Sequence, residues 1–298
     1  MNELSLDFPQ GSLTALVGPS GCGKTTTLKM INRLIEPTSG VIEVQGRRVL
    51  DMPVHELRRG IGYVIQQTGL FPHKTIAANI GTVPSLLGWD KARVRQRTTE
   101  LVDLVGLDPE LLSRYPAELS GGQQQRVGVA RALAADPPIL LMDEPYSAVD
   151  PIVRARLQDE LIALQRRVHK TIVLVTHDID EAIKLADFIA LLNVGGILEQ
   201  FGPPADLLRS PVNDFVANFL GRERALKRMG LLRVRDVELA PVLDGIDSST
   251  AVRLDTPLRQ ALDVIVDSHA RAVAVVDEDG RVAGMLTIEQ IAAGMAKR

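Results

Sequence analysis

The chain has 298 residues but a single cysteine, Cys22, so no disulfide can form within it, which fits a reducing compartment. No apolar run reaches the roughly 18 residues needed to span a bilayer. A basic excess is missing too. The net charge of −3 argues against bulk binding to nucleic acid or to anionic lipid. Residues 1–10 are acidic and lack the basic start and apolar stretch of a signal peptide. These absences predict a cytosolic protein whose membrane role, if any, comes through a partner. What is present is an ordinary globular balance, 45% apolar and 24% charged, with length for one large domain and a small one.

Leu13 to Val17 is a short apolar run ending in Gly18, and it reads as a buried strand. Leu28, Ile31, Leu34 and Ile35 then recur at helical spacing. Ile139 to Met142 and Ile172 to Val175 are further apolar runs, with a helical stripe of Val153, Leu157, Leu161 and Leu164 between them. Strands apolar on both faces, alternating with helices, predict an α/β core around a parallel sheet. Helical patterns dominate from about 72 to 134, which reads as a helical subdomain inserted in a domain spanning 1–215.

Residues 216–250 read as a linker. They hold the basic stretch Arg222, Arg224, Lys227, Arg228, Arg233 and Arg235, taken as a solvated face. From 251 to 298 a small α+β unit is expected. Thr256-Pro257 starts a helix with Leu258, Ala261, Leu262 and Ile265 inward. Ala272 to Val276 and Val282 to Leu286 form a hairpin turned at Asp279-Gly280, and Thr287 with Gln290 makes a capping box for a last helix.

Gly18-Pro19-Ser20-Gly21-Cys22-Gly23-Lys24-Thr25 fits the phosphate-loop pattern GxxxxGK[ST], between a strand and a helix. Its backbone N–H groups can cradle phosphate, Lys24 can reach the β- and γ-phosphates, and Thr25 can offer a hydroxyl to Mg²⁺. The nucleotide-contacting set is expected to run on to Thr26. Cys22 reads as a loop filler. Asp143-Glu144 follows an apolar strand, so Asp143 can hold Mg²⁺ and Glu144 can take a proton from attacking water.

Leu119-Ser120-Gly121-Gly122-Gln123 decides between kinds of phosphate-loop protein. Here the chain resembles the ABC ATPase family, whose identifying motif is LSGGQ. The family's other motifs follow in order: Gln66 in Val64-Ile65-Gln66-Gln67, the D-loop Ser147-Ala148-Val149-Asp150, and His177 in Val175-Thr176-His177-Asp178. The resemblance covers residues 1 to about 210. It implies ATP and Mg²⁺ as cofactors and a head-to-tail pair of ATPase subunits, most simply two copies of this chain. Ser120, Gly121, Gly122, Gln123 and Asp150 would then face the partner's nucleotide. By the same resemblance Gln66 senses Mg²⁺, His177 contacts the γ-phosphate, and the pair drives a transmembrane permease served by an extracytoplasmic solute-binding protein. Nucleic acid is not an expected partner.

Three segments, Leu28 to Gly40, Thr82 to Trp89 and Phe215 to Leu232, resemble the ATPase subunits of glycine betaine, choline and carnitine importers. An importer of another small solute, such as a polar amino acid, is the alternative; a soluble ABC ATPase is a lesser one, because those of DNA repair or chromosome maintenance separate their motifs with long coiled coils and only a short insert separates Gln66 from Ser120 here. The C-terminal unit resembles a single CBS motif, which implies pairing with a second copy to cover its apolar stripes. Gln290 stands where that family's adenosine-binding pattern often has an acidic residue. Family members usually carry an earlier strand and an aromatic residue stacked on adenine. This sequence begins after both, Phe8 being its nearest aromatic, so weaker adenine contact is expected.

Overall fold

The computed structural model describes residues 3–66, 69–147, 149–242 and 250–297. They form two compact units divided after Pro204. In the first, the strands are β1 (Leu13–Val17), β2 (Glu43–Val44), β3 (Arg47–Arg48), β4 (Ile61–Val64), β5 (Ile139–Asp143), β6 (Thr171–Val175), β7 (Phe188–Asn193) and β8 (Ile197–Gly202). Six of them make one sheet in the order β4-β5-β6-β1-β7-β8. Neighbours from β4 to β7 are parallel, and only β8 runs antiparallel.

Alternation along each strand sends side chains to two faces, and both faces are buried. Leu140, Met142, Ile172 and Leu174 join one core, while Leu141, Val173 and Val175 join the other. Leu13 of β1 belongs to the first and Leu16 to the second. Between β4 and β5 the chain makes helices Ile76–Ile80, Thr82–Leu86, Lys91–Leu104 and Gly121–Leu133, with no strand among the described residues. Asn79, fully buried, ties this region down: its amide donates to the carbonyls of Phe71, Lys74 and Thr75 and accepts from the Phe71 N–H.

The apolar stripe that begins at Leu28 stops sooner than its spacing predicts. Helix Lys24–Ile31 ends because Arg33 turns left-handed, at φ 49°, and the Leu34 N–H returns to the Lys29 carbonyl at 2.7 Å. Leu34 and Ile35 are left 47% and 42% exposed, outside that core.

The second unit contains helices Asp214–Leu220, Arg224–Leu231, Leu258–Asp267 and Ile288–Lys297 and strands β9 (Val252–Arg253), β10 (Ala272–Val276) and β11 (Val282–Thr287). Its sheet runs β11-β10-β9. The β10–β11 turn is closed by the Asp277 carboxylate, which accepts from the Asp279 and Arg281 N–H groups, with Gly280 at φ 78°. Thr287 and Gln290 form the expected capping box.

Three expectations change here. Residues 216–242 are folded: Met229, Val234 and Val237 lie in one core with Leu258, Ile265 and Ile291. The cover assigned to a second copy thus comes, for those three side chains, from the same chain. Arg228, placed by sequence on a solvated face, is buried and donates to the Met295 carbonyl at 2.8 Å. Thr256 does not cap the helix; its hydroxyl accepts the Arg253 N–H and closes the turn out of β9.

Candidate nucleotide site

Parallel strands in the order β4-β5-β6-β1 end on the same edge of the sheet. Gln66 lies two residues beyond β4, Glu144 directly after β5, His177 two residues beyond β6, and the 18–25 loop directly after β1. Topology alone therefore brings four distant segments together at the carboxyl edge, where open α/β sheets bind ligands.

The 18–25 loop is shaped by glycines with left-handed backbones. Gly18, at φ 149°, passes so close to β7 that a Cβ there would lie 2.1 Å from the Leu192 carbonyl oxygen. Gly23, at φ 103°, stands before helix Lys24–Ile31 and gives its first turn no side-chain cap. The leading N–H groups of that helix are thus directed at the loop, an arrangement suited to an anion. Lys24 is buried, and its ammonium is held over the loop by the carbonyls of Gly18 at 2.7 Å and Pro19 at 3.0 Å, with the Cys22 Sγ at 3.6 Å. Ser20, Gly21 and Thr26 are exposed around it.

Thr25 donates its hydroxyl to Asp143 Oδ1 at 2.9 Å, and Tyr63 donates to Asp143 Oδ2 at 3.5 Å. Burial and the Asp143 carboxylate push the Tyr63 phenol up to about 12, so it remains a donor. Glu144 adopts a left-handed backbone at φ 45°, rare for a residue with a Cβ and a form of strain found at functional sites. Its N–H is anchored on the Val175 carbonyl at 2.9 Å. Its Oε2 meets the Gln66 amide N–H at 3.1 Å and His177 Nδ1 at 3.3 Å, which together hold that oxygen in place.

The remaining predicted residues sit elsewhere. Ser120 accepts the Gln123 N–H at 3.3 Å and Gln123 accepts the Ser120 N–H at 2.9 Å, a capping box that starts helix Gly121–Leu133. Gly122 packs on helix Pro151–Val168, a Cβ there lying 2.8 Å from Val153. Asp150 caps that helix through the Ile152 and Val153 N–H groups at 2.9 and 3.5 Å. Among the described residues no hydrogen bond or ion pair joins this group to the 18–25 loop of its own chain. Gln67 and Ala148 lie outside the described residues.

Two residues near the site carry no sequence motif. Tyr63 is one. Glu181, four positions after His177, is only 6% exposed. Burial first, then the Asp178 carboxylate, pushes it up to about 7; Arg154 and the Thr176 hydroxyl act the other way.

The donor set also bears on a cation. Thr25 hydroxyl, Asp143 carboxylate and Gln66 amide are hard oxygen ligands, with one negative charge among them. Among the described residues no three His, Cys, Asp or Glu cluster as an all-protein cage. One carboxylate plus neutral oxygens fits Mg²⁺, which arrives with phosphate oxygens and waters rather than in a closed cage.

A glycine loop with its lysine, a paired carboxylate edge and a separate LSGGQ helix on one α/β unit define the ATP-hydrolysing cassette. The comparisons agree. Residues 1–147 match the ABC transporter family and residues 234–297 the CBS domain family. The osmoprotectant import ATP-binding protein OsmV of Salmonella typhimurium is 53% identical over 96% of this chain and 73% of its own length. The glycine betaine/carnitine/choline transport ATP-binding protein OpuCA of Bacillus subtilis is 50% identical over 98% of this chain and 75% of its own. A dimeric structure of the bacterial ABC transporter cassette MJ0796, in a post-hydrolysis state with ADP and Pi, superposes with a TM-score of 0.59. It is 34% identical, covering 66% of this chain and 88% of that one. The chain belongs to the ABC transporter family, as one of its ATP-hydrolysing subunits.

Proposed function

We propose that this subunit powers import of quaternary ammonium osmoprotectants, such as glycine betaine, choline or carnitine, through a partner permease. The observation that carries the catalytic part is the joined set of Thr25 on Asp143 and of Gln66 and His177 on Glu144, next to the Lys24 loop. Lys24 and the loop N–H groups hold the phosphates of ATP. Thr25, Asp143 and Gln66 are placed to hold Mg²⁺, which when bound neutralises charge on the β- and γ-phosphate oxygens. Glu144 accepts the proton of the attacking water, and its neighbours keep the carboxylate oriented while it does so. His177 lies on the same carboxylate oxygen, beside the γ-phosphate position.

The dimeric cassette structure at 34% identity supports a two-fold pair, in which each LSGGQ segment faces the other chain's nucleotide. The simplest pair is a homodimer. None of the described helices is long and apolar enough to cross a membrane. By likeness to these transport ATP-binding proteins, the pair acts from the inner face of the membrane, docked on the permease, and reaches the solute-binding protein only through it. The osmoprotectant assignment rests on the two named relatives. Deletion in cells lacking other osmolyte importers tests it: radiolabelled betaine, choline or carnitine uptake should fall and return with the wild-type gene. Unchanged uptake of all three refutes the cargo.

A further inference from the structure

Helix Pro151–Val168 starts where three functional segments meet. Asp150 caps it, and Val153 on its first turn packs against Gly122 of the LSGGQ helix. Arg154, the next residue, reaches in two directions. One guanidinium nitrogen donates to the Val149 carbonyl at 3.3 Å, and the other pairs with Asp178 Oδ2 at 3.8 Å. Asp178 follows His177 and caps helix Ile179–Leu185 by accepting the Asp180 and Glu181 N–H groups at 2.9 and 3.3 Å.

Glu181 is buried against this turn, hydrogen-bonded by the Thr176 hydroxyl and within the field of Arg154. Its Oε1 has no hydrogen-bond partner, and neither does the buried Arg154 Nε. A buried acceptor and a buried donor, each unsatisfied, are costly. Such atoms persist where the surroundings hold them for another reason. Further along, Lys184 bridges the same two helices through Asp159 at 2.7 Å and the Ala155 carbonyl at 3.2 Å. The helices are thus clamped, and Arg154 is the contact at the end that carries the functional turns.

We propose that Arg154 is a positioning residue that couples the Val149-Asp150 turn to the His177-Asp178 turn through its contacts with the Val149 carbonyl and the Asp178 carboxylate. Displacement of the first turn at the partner's nucleotide is then transmitted to His177 beside Glu144. The planar fork of arginine serves two acceptors at once, which a lysine ammonium on one stem cannot do in the same geometry. The inference rests on the roles given above to Asp150 and His177.

Steady-state ATP hydrolysis by the full-length chain tests it, with Arg154→Met keeping the stem and Arg154→Lys keeping the charge. Misplacing a catalytic group by about 1 Å costs up to about a hundredfold, so kcat of Arg154→Met should fall by about tenfold or more. The KM for ATP should stay near wild type, because the Lys24 loop is untouched, and the Hill coefficient should drop toward one. Thermal melts run in parallel. A wild-type kcat overturns the proposal, as does a joint change of kcat, KM and melting midpoint, which marks a packing role. If Arg154→Met does not fold, Arg154→Lys is read the same way: lost kcat with KM kept supports coupling, and full activity overturns it. An active Lys24→Ala would instead overturn the site assignment itself, whereas an inactive Lys24→Ala beside a fully active Arg154→Met overturns only the coupling.

Discussion

Replacing Glu181 with Gln should change how stability responds to pH, in a calculable way. The carboxyl has an ordinary value of 4.5 and is pushed up to about 7 in the fold. Burial is the largest cause, and the Asp178 and Glu144 carboxylates add to it against Arg154 and Thr176. The folded protein therefore holds this proton more tightly than the unfolded chain. Its stabilising contribution is complete below about 4.5 and is lost as pH rises through about 7. At 1.36 kcal/mol per unit, the loss amounts to about 3 kcal/mol. Glutamine has no proton to lose. Any fixed gain or loss of hydrogen bonding in the variant is the same at every pH, so the pH-dependent difference isolates the ionisation. Trp89 is the sole tryptophan and belongs to the first unit, so its fluorescence reports the unit that contains Glu181. Urea unfolding at pH 5, 6, 7 and 8 should show Glu181→Gln gaining on wild type by about 2–3 kcal/mol across that range. Parallel curves for the two proteins would refute the buried, proton-holding carboxylate.

Lys24→Ala should lower ATP hydrolysis by at least about a hundredfold, the scale of losing one preorganised charge at a transferring phosphoryl group; a phosphate-release assay on the purified variant checks it. Glu144→Gln keeps the shape but not the base, so turnover should fall by about a hundredfold or more while ATP still binds. Size-exclusion chromatography with Mg-ATP should then show a dimer, and a persistent monomer counts against the two-fold pair. Gly294→Ala should destabilise the second unit by about 1–3 kcal/mol, since its Cβ would lie 2.2 Å from Val237 Cγ1; a calorimetric scan showing that unit's transition unchanged would contradict the packing.

The chemistry of the site was legible because it is written in contiguous motifs, and the parallel sheet then joins them. β5 and β6 were readable as the unbroken apolar runs Ile139 to Met142 and Ile172 to Val175, but β4 was not. Gly62 and Tyr63 interrupt its pattern for tertiary reasons: a Cβ on Gly62 would lie 2.4 Å from the Ala132 carbonyl, and Tyr63 reaches Asp143. Glu181 looked like any charged residue early in a helix. Its surroundings include Arg154, which comes from another helix 27 residues earlier, so sequence position alone did not mark it. The second unit was misjudged at its start because a run of arginines hid Met229, Val234 and Val237, whose later core partners begin only at Val252, 15 residues beyond Val237.

The link between Arg228 and the carbonyl of Met295 joins residues 67 positions apart, and Gly294 accepts Val237 only because it has no side chain. The CBS-like tail is therefore not a pendant that begins at its first strand. Any recombination that moves it between proteins has to carry the helix from Arg224 and the turn through Val237 with it. A crossover near residue 250 would strand Val234 and Val237 on one product and uncover Leu258, Ile265 and Ile291 on the other. A joint that leaves this core whole has to lie before Arg224.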